Sequence, residues 1–411
     1  MGITFDLTSA SAVLKELYFG QVPENLVYKQ NPALALLQKK TDAVGKSIPI
    51  PLIYGVTQGR SGTFANAQAN QSPLAAVEFQ VTRVTDYALA TIDQHVMLAS
   101  KSDKGAFVDG LKTHVDGAFR SASNSAASSI FRSGTGTIGS YASGGISTGV
   151  ITLQTPADVV NFEINQVLNV HASDGGAKVA SSVDGFVIAV DRSAGTITVA
   201  LTQGGSAINP TNWPTAATTY LTTAGDLNAK MSGFSAWIPD SAPTSSAFFT
   251  IDRTKDTVRL GGLRYDGTAQ PVEEALVDAA GLAAREGGSP DTAFCSFATY
   301  TALSKSLGSK VQYVDLQGPG QVGFRGIRVN GAAGEIKVIP DRNCRQNRVF
   351  LLQMDTWKLL SINDVPHLFM YADGLEALRV YNADAAEARV GYYAQLACSA
   401  PGWNVNVATS A

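Results

Sequence analysis

The spacing of hydrophobic and polar positions changes several times along the chain, and those changes divide it. At 11–19 and 31–40, apolar residues fall at helical spacing. The second stretch has Pro32 at its start and Leu34, Leu36 and Leu37 within it. Neither can build a core alone, so 1–45 reads as an arm that packs on something else. At 46–54 the pattern becomes strict alternation. Ile48, Ile50, Leu52 and Tyr54 share one face, and Pro49 and Pro51 lie on the other. Proline cannot donate to a ladder, which marks an edge or an isolated ribbon. A return strand is expected from 77–81 onward through Tyr87, Leu89 and Ile92. The connection between them, 55–73, is rich in Gly, Gln, Asn, Ala and Ser. It far exceeds the roughly 2–5 residues of an ordinary hairpin loop. A two-stranded ribbon is marginal in water, so the pattern predicts docking onto another subunit.

The period then becomes helical. Phe107, Leu111, Val115, Phe119, Ala122, Ala126 and Ile130 are three or four apart, after Ser102 and Asp103 as caps and before Gly134 as a stop. One helix over 103–132 would reach roughly 45 Å at about 1.5 Å per residue. Its second half is nearly all Ser and Ala, which lets another element lie very close. From 135 to 225 short strand signals take over, at 150–153, 167–170, 186–190 and 196–201. Asp191–Gly195 is a turn between the last two, and Trp213 is a packing residue near the edge of this small β module, of a size for a barrel or sandwich. Beyond 226 the chain is mixed. Helices are expected at 271–286 and 298–307, and strands at 326–329, 336–339, 348–353 and 388–397. Pro271 opens the first of these helices, with Glu273 and Glu274 in its first turn.

Composition sharpens this picture. At 411 residues the chain exceeds the roughly 250–300 at which single cores stop growing, so at least two folded units are expected. Charged residues make up 16%, below the usual ~25%, as suits a chain that buries surface against other subunits. The net charge is −3, without the basic excess of a phosphate-binding protein. The densest basic stretch holds Arg253, Lys255, Arg259 and Arg264, interrupted by Asp252, Asp256 and Asp266. It reads as a solvated face or a subunit contact. Cys295, Cys344 and Cys398 are odd in number and widely spaced, so buried free thiols are expected rather than disulfides or a zinc site. No signal peptide is visible, and no apolar run reaches the ~18 residues that would cross a membrane. Synthesis in a cytoplasm is expected.

Motifs with chemical meaning fail on context. Gly134, Gly136 and Gly139 fit G-x-G-x-x-G, but the dinucleotide site needs a strand before and a helix after; here the order is inverted. Gly145, Ser147 and Gly149 fit the nucleophile-elbow spacing, but lie in a Gly/Ser linker rather than a strand-to-helix turn. His95, His114, His171 and His367 have no metal-ligand spacing. The Asp-Gly steps at 174, 266 and 373 are turns that do not continue as calcium loops. No enzyme activity, metal or cofactor is expected.

The order of elements resembles that of the major capsid proteins of tailed bacteriophages, the HK97-type fold. The stretch 46–97 looks like the extended E-loop, and 103–132 like the spine helix of the peripheral (P) domain. The two later helices, with 324–329, 336–341, 348–353 and Trp357, look like the axial (A) domain, and 387–396 like the strand returning to the P domain. The resemblance implies an α+β protein with a 1–45 arm, a 46–98 ribbon and a 99–134 spine helix. An inserted small all-β domain would follow at 135–225, then a 226–270 connection, a 271–375 A domain and a 376–411 return. It implies hexamers and pentamers that tile an icosahedral virion shell around double-stranded DNA, without sequence-specific contact, assembled in the host cytoplasm. Scaffolding, portal and decoration or cement proteins are the implied partners. The expected inter-subunit contacts are the arm, the tip 55–73 and the small-residue half of the long helix, with Arg60, Phe64, Arg253, Arg259 and Arg264 as candidate residues. The tip has no lysine, so the isopeptide weld of some family members is not expected. The alternatives are an encapsulin-like compartment and a phage tail or decoration component.

Overall fold

The computed structural model describes residues 31–93, 104–307, 313–316, 324–331, 334–369 and 378–410. The stretch at 11–19, the caps Ser102 and Asp103, His95 and Asp373 lie outside the described residues.

The alternation at 46–54 becomes the strand Ile48–Gly55, antiparallel to Ala75–Val81. Leu52, Phe79 and Val81 are buried, and Ile48, Ile50, Tyr54 and Val77 pack against the main core, while Pro49 and Pro51 face outward. The return is not one strand. It breaks after Val81, where the Arg83 guanidinium donates to the carbonyls of Ala43 and Gly45. The next strand, Val84–Asp93, leaves the ribbon and pairs with Ala385–Cys398 over ten positions, from Asp93 opposite Ala385 to Val84 opposite Ala394. The expected helix at 31–40 is also shorter. Only Pro32–Leu36 is helical, and Gln38–Lys40 is a strand parallel to Trp357–Ser361. So short a helix is marginal by itself, and the open edge of Trp357–Ser361 satisfies the backbone instead. Ala33, Leu34 and Leu37 are buried in the main core, so this part of the arm packs on its own body.

The long helix is Lys104–Phe131. Ala118, Ala122, Ala126 and Ile130 are buried at intervals of four. Ala118 and Ala122 meet Ala90, Ala388 and Val390 of the strands Val84–Asp93 and Ala385–Cys398. Alanine facing alanine brings helix and sheet close together. The buried small residues of this half therefore face the chain's own sheet. Phe131 ends the helix inside the main core. There the Phe234 ring centroid lies 4.8 Å from Trp357, 5.5 Å from Phe131 and 5.6 Å from Phe350.

Residues 137–223 contribute a seven-stranded antiparallel sheet with its own buried cluster around Tyr141, Phe162, Val187 and Leu221. Its edge strand Thr137–Tyr141 also meets the residues after Val150–Thr152, where Gln154 N donates to Ser140 O at 2.7 Å. Trp213 is buried and donates from Nε1 to Val183 O at 2.7 Å. A second seven-stranded sheet, of mixed direction, runs from Leu263–Asp266 at one edge to Tyr313–Leu316 at the other. The helix Val272–Arg285 lays Val272, Ala275, Leu276, Ala279, Ala280 and Ala283 on this second sheet, one stripe at helical spacing.

Helix, strand and the segment after residue 223 are joined by one polar cluster. The Lys230 ammonium lies 2.8 Å from Asp86 and 3.0 Å from Asp226, and donates to Ser125 Oγ at 3.0 Å. Ser125 Oγ and the Tyr392 hydroxyl both donate to Asp86, at 2.6 and 3.0 Å. Burial raises the Asp226 carboxyl above its usual range, against the pull of Lys230. Burial, with Asp86 beside it, also pushes the Tyr392 phenol well up. Removing one partner of a buried pair strands the other charge. Lys230→Met is expected to cost about 3–5 kcal/mol in denaturant unfolding at pH 7. Without Lys230 the native Asp226 takes up its proton at still higher pH. The native variant then binds more protons than the native parent, and the deficit shrinks as pH falls.

Candidate assembly surfaces

The ribbon tip is built to be exposed. Beyond Gly55 the chain has no alternating pattern to pair, and it forms a short helix, Phe64–Ala69, with no buried residue. Its apolar side chains face solvent: Phe64 is 83% exposed and Val56 69%, with Ile53 and Leu74 also uncovered. Arg60 is exposed as well. An isolated exposed apolar residue is ordinary, whereas a group of them on one projection marks a contact surface.

A second uncovered apolar surface lies on the sheet around Ala385–Cys398, opposite the long helix. Along Val84–Asp93, Asp86, Ala88 and Ala90 turn toward the helix, so Tyr87 and Leu89 turn outward, at 54% and 57% exposure. Tyr87 joins Phe369, Tyr393 and His367 in one ring cluster, with centroids 5.6 Å apart for Tyr87–Phe369, 5.3 Å for Phe369–Tyr393 and 4.5 Å for His367–Phe369. The Tyr87 and Tyr393 hydroxyls are 3.1 Å apart. Gly391 makes this packing possible, because a Cβ there would stand 2.9 Å from Phe369 Cε2 and 2.2 Å from Asp86 O. Sequence reading missed the cluster, since its members lie about three hundred positions apart and meet only through strand pairing. The outward alternation of Tyr87 and Leu89 was the one local signal for it.

The five candidate contact residues separate. Arg60 and Phe64 sit together on the tip. Arg253 is buried: it donates to Ala236 O and Trp237 O at 2.9 and 3.2 Å and lies 4.2 Å from the centre of the Phe248 ring. Burial, with Arg264 nearby, pushes its guanidinium down to about 10. Arg264 donates to Gly261 O and Thr257 O. Burial of Arg253 corrects its placement on a solvated or contact face, while Arg264 is half-buried with its bonds to its own loop. Arg259 is exposed and donates to Tyr54 O at 2.7 Å, pinning the outer end of the ribbon. The aspartates of this stretch accept from nearby backbone: Asp252 from Thr254 N, Asp256 from Arg259 N and Asp266 from Thr268 N.

The motifs have structural explanations. Ser147 precedes a two-residue hairpin turn, Thr148 and Gly149 with φ of 47° and 81°, and pairs with Val150. His171 is buried, with its ring nitrogens 2.9 Å from Gly176 O and 2.8 Å from Thr222 Oγ1. Burial pushes the Cys295 and Cys398 thiols up to about 12 and leaves all three cysteines free and buried. Among the described residues no group of His, Cys, Asp and Glu could hold a metal ion, and no helix is long and apolar enough to cross a membrane. A cleft of about 860 Å³ between the long helix and the 137–223 sheet includes Arg120, Asn165, Lys230 and Arg342 in its lining. Arg132, also in the lining, pairs with Asp158 at 2.7 Å.

Residues 213–370 match the family model described as SU10 major capsid protein. No curated protein matches the chain. Among solved structures, the capsid asymmetric unit of cyanophage A-1(L) is similar over 98% of this chain and 99% of its own, at 12% identity and a TM-score of 0.56. The capsid of a native GTA particle matches over 100% of both chains at 8% identity and a TM-score of 0.46. An encapsulin complex from Synechococcus elongatus PCC 7942 matches over 99% of this chain and 95% of its own, at 7% identity and a TM-score of 0.45. The cyanophage capsid establishes the fold; the other two are too distant to carry an argument. Over nearly its whole length the chain thus has the fold of a phage capsid subunit, and its residues 213–370 match the major capsid protein family model.

Proposed function

We propose that copies of this chain assemble as hexamers and pentamers into a closed icosahedral shell around double-stranded DNA, in the host cytoplasm, with scaffolding, portal and decoration or cement proteins supplied separately. The observation that carries this reading is the ribbon tip, an extended projection whose apolar side chains find no cover among the described residues. A weakly acidic chain of net charge −3 suits a wall that contains DNA without gripping its phosphates. Arg60, Phe64 and Arg259 are the inter-subunit residues in this reading, the first two by contact and Arg259 by aiming the ribbon.

The stretch 135–225 is an insertion on the outer surface of the shell or a bridge between capsomers. It has its own buried cluster, and the strands by which it leaves and rejoins the chain are neighbours, Thr137 lying opposite Thr222. Replacing 137–223 by a short Gly/Ser linker is therefore expected to leave a folded, assembling chain, checked by circular dichroism and electron microscopy. A reconstruction that places the insertion wholly inside the shell would overturn its outer position.

Electron microscopy of the purified full chain is expected to show closed shells or hexameric rings, and a stable monomer at high concentration would overturn the proposal. Because the tip 55–73 contains no lysine, contacts are non-covalent. Assembled shells boiled in detergent are expected to release a single band near 43.0 kDa, where welded subunits would give a ladder.

A further inference from the structure

The cleft between the long helix and the 137–223 sheet holds more positive charge than the described residues neutralise. Its cations are Arg120, Arg132, Lys230 and Arg342. Lys230 is shared between Asp86 and Asp226, and Arg132 is paired with Asp158. The remaining carboxylate of the lining, Glu163, is taken by Arg192 at 2.9 Å from outside it. Arg120 and Arg342 are left, and neither forms an ion pair with a described carboxylate. Asp341, beside Arg342 in the chain, is buried and accepts instead from Ala33 N and Asn343 N, at 3.2 and 2.9 Å. Arg342 is the smallest influence on its carboxyl.

Both guanidiniums stand beside one amide. Arg120 lies one turn before Asn124 on the same face of the helix, and Arg342 Nη2 donates to Asn124 Oδ1 at 3.1 Å. Arg342 has five N–H donors, and that bond is the one described for it. Its Nε is buried with no acceptor among the described residues, a condition native interiors rarely tolerate. Asn124 spends its oxygen on Arg342 and keeps its Nδ2 to donate. Ser121, next to Arg120, and Asn165, on the opposite wall, are exposed in the cleft, and their side chains have no partner among the described residues. The site is therefore a set of donors without acceptors. A guanidinium fork matches the paired oxygens of a tetrahedral oxyanion. Ile164, 59% exposed beside Asn165, adds an apolar surface to that wall.

We propose that this cleft binds a small phosphate-bearing solute, its phosphate held between Arg120 and Arg342 and completed by Asn124 Nδ2 and Ser121 Oγ. Asn165 donates from the opposite wall, so the bound anion ties the insertion to the long helix. Two unpaired cations suit the charge of a phosphate, close to two at neutral pH. The volume of about 860 Å³ falls in the range of small-ligand sites. A DNA duplex is disfavoured at the same place by the net charge of −3 on the whole chain.

The test titrates the purified full chain with inorganic phosphate by calorimetry, against sodium chloride at matched ionic strength. Phosphate is expected to bind saturably and chloride not. Arg120→Gln and Arg342→Gln are each expected to weaken phosphate binding about tenfold, the effect of one lost charge-assisted contact. Lys255→Gln removes an exposed cation outside the cleft and is expected to leave binding unchanged. Arg120 is exposed, so its replacement leaves the fold intact, and circular dichroism checks each variant. Hydrogen exchange gives a second reading. Phosphate is expected to slow exchange at 160–166 in the parent and not in the double arginine variant. Equal responses to phosphate and chloride overturn the proposal, as does undiminished binding by the double variant. A short DNA duplex that binds through these arginines where inorganic phosphate does not also overturns it, since the cleft would then be a nucleic-acid contact. Each outcome is read from binding to the chain, so none of them bears on shell assembly.

Discussion

The register between Val84–Asp93 and Ala385–Ala394 is the constraint on which the rest depends. A strand alternates faces at every residue, so one slip would exchange them all. In the observed register Ala88 and Ala90 meet the long helix, and Tyr87 and Leu89 meet solvent. The same alternation turns Asp86 inward to Lys230, Ser125 and Tyr392. The apolar pattern alone specifies this register weakly, because alanines line one face and two large apolar residues the other. The part-buried charge cluster adds what the pattern lacks: a slip would take Asp86 away from Lys230, Ser125 and Tyr392 and leave Lys230 with Asp226 alone.

The long strand Ala385–Cys398 is the common partner. It pairs with Val84–Asp93, Trp357–Ser361, His367–Leu368 and Leu378–Arg379, elements drawn from both ends of the described chain. Three of its four pairings are short, and the ten-position ladder with Val84–Asp93 dominates. Closing so long a loop costs chain entropy, and burial of the aromatic core around Phe234 together with the helix stripe offsets it. The ribbon therefore leaves a rigid base. Its apolar side chains are exposed at the tip, where no described residue covers them.

Arginine chemistry divides by environment. Arg253 and Arg264 are surrounded by carbonyls and satisfy their own loops, while Arg259 reaches across to the ribbon and Arg60 stands free on the tip. In sequence the first three belong to one basic stretch with interspersed aspartates. Those aspartates mainly accept backbone N–H groups two or three residues ahead, and only Asp256 also reaches one of these arginines, Arg259, at 3.9 Å. Local charge order does not reveal which side chains a fold will bury, since burial depends on what packs above them, here Phe248 and the carbonyls of Ala236 and Trp237.

The sequence by itself determined the elements whose signal is local and periodic. The ribbon strand at Ile48–Gly55, the long helix, Val272–Arg285 with its capping Pro271, and four of the seven strands within 137–223 (Val150–Thr152, Val167–His171, Gly185–Asp191 and Thr196–Ala200) follow from spacing and turn residues, because the side chains that define each lie within one or two turns of one another. It also determined that the tip would be exposed, from a stretch with nothing apolar to bury in series. Tertiary structure alone decided where the return strand breaks, that Gln38–Lys40 becomes strand rather than helix, and that the buried small residues of the helix face the chain's own sheet. It decided that Arg253 is interior, and that Tyr87, His367, Phe369 and Tyr393 form one surface. Each of these depends on a partner far along the chain. A backbone edge, an alanine face or a ring is neutral about its use until strand pairing across some three hundred residues brings its partner to it.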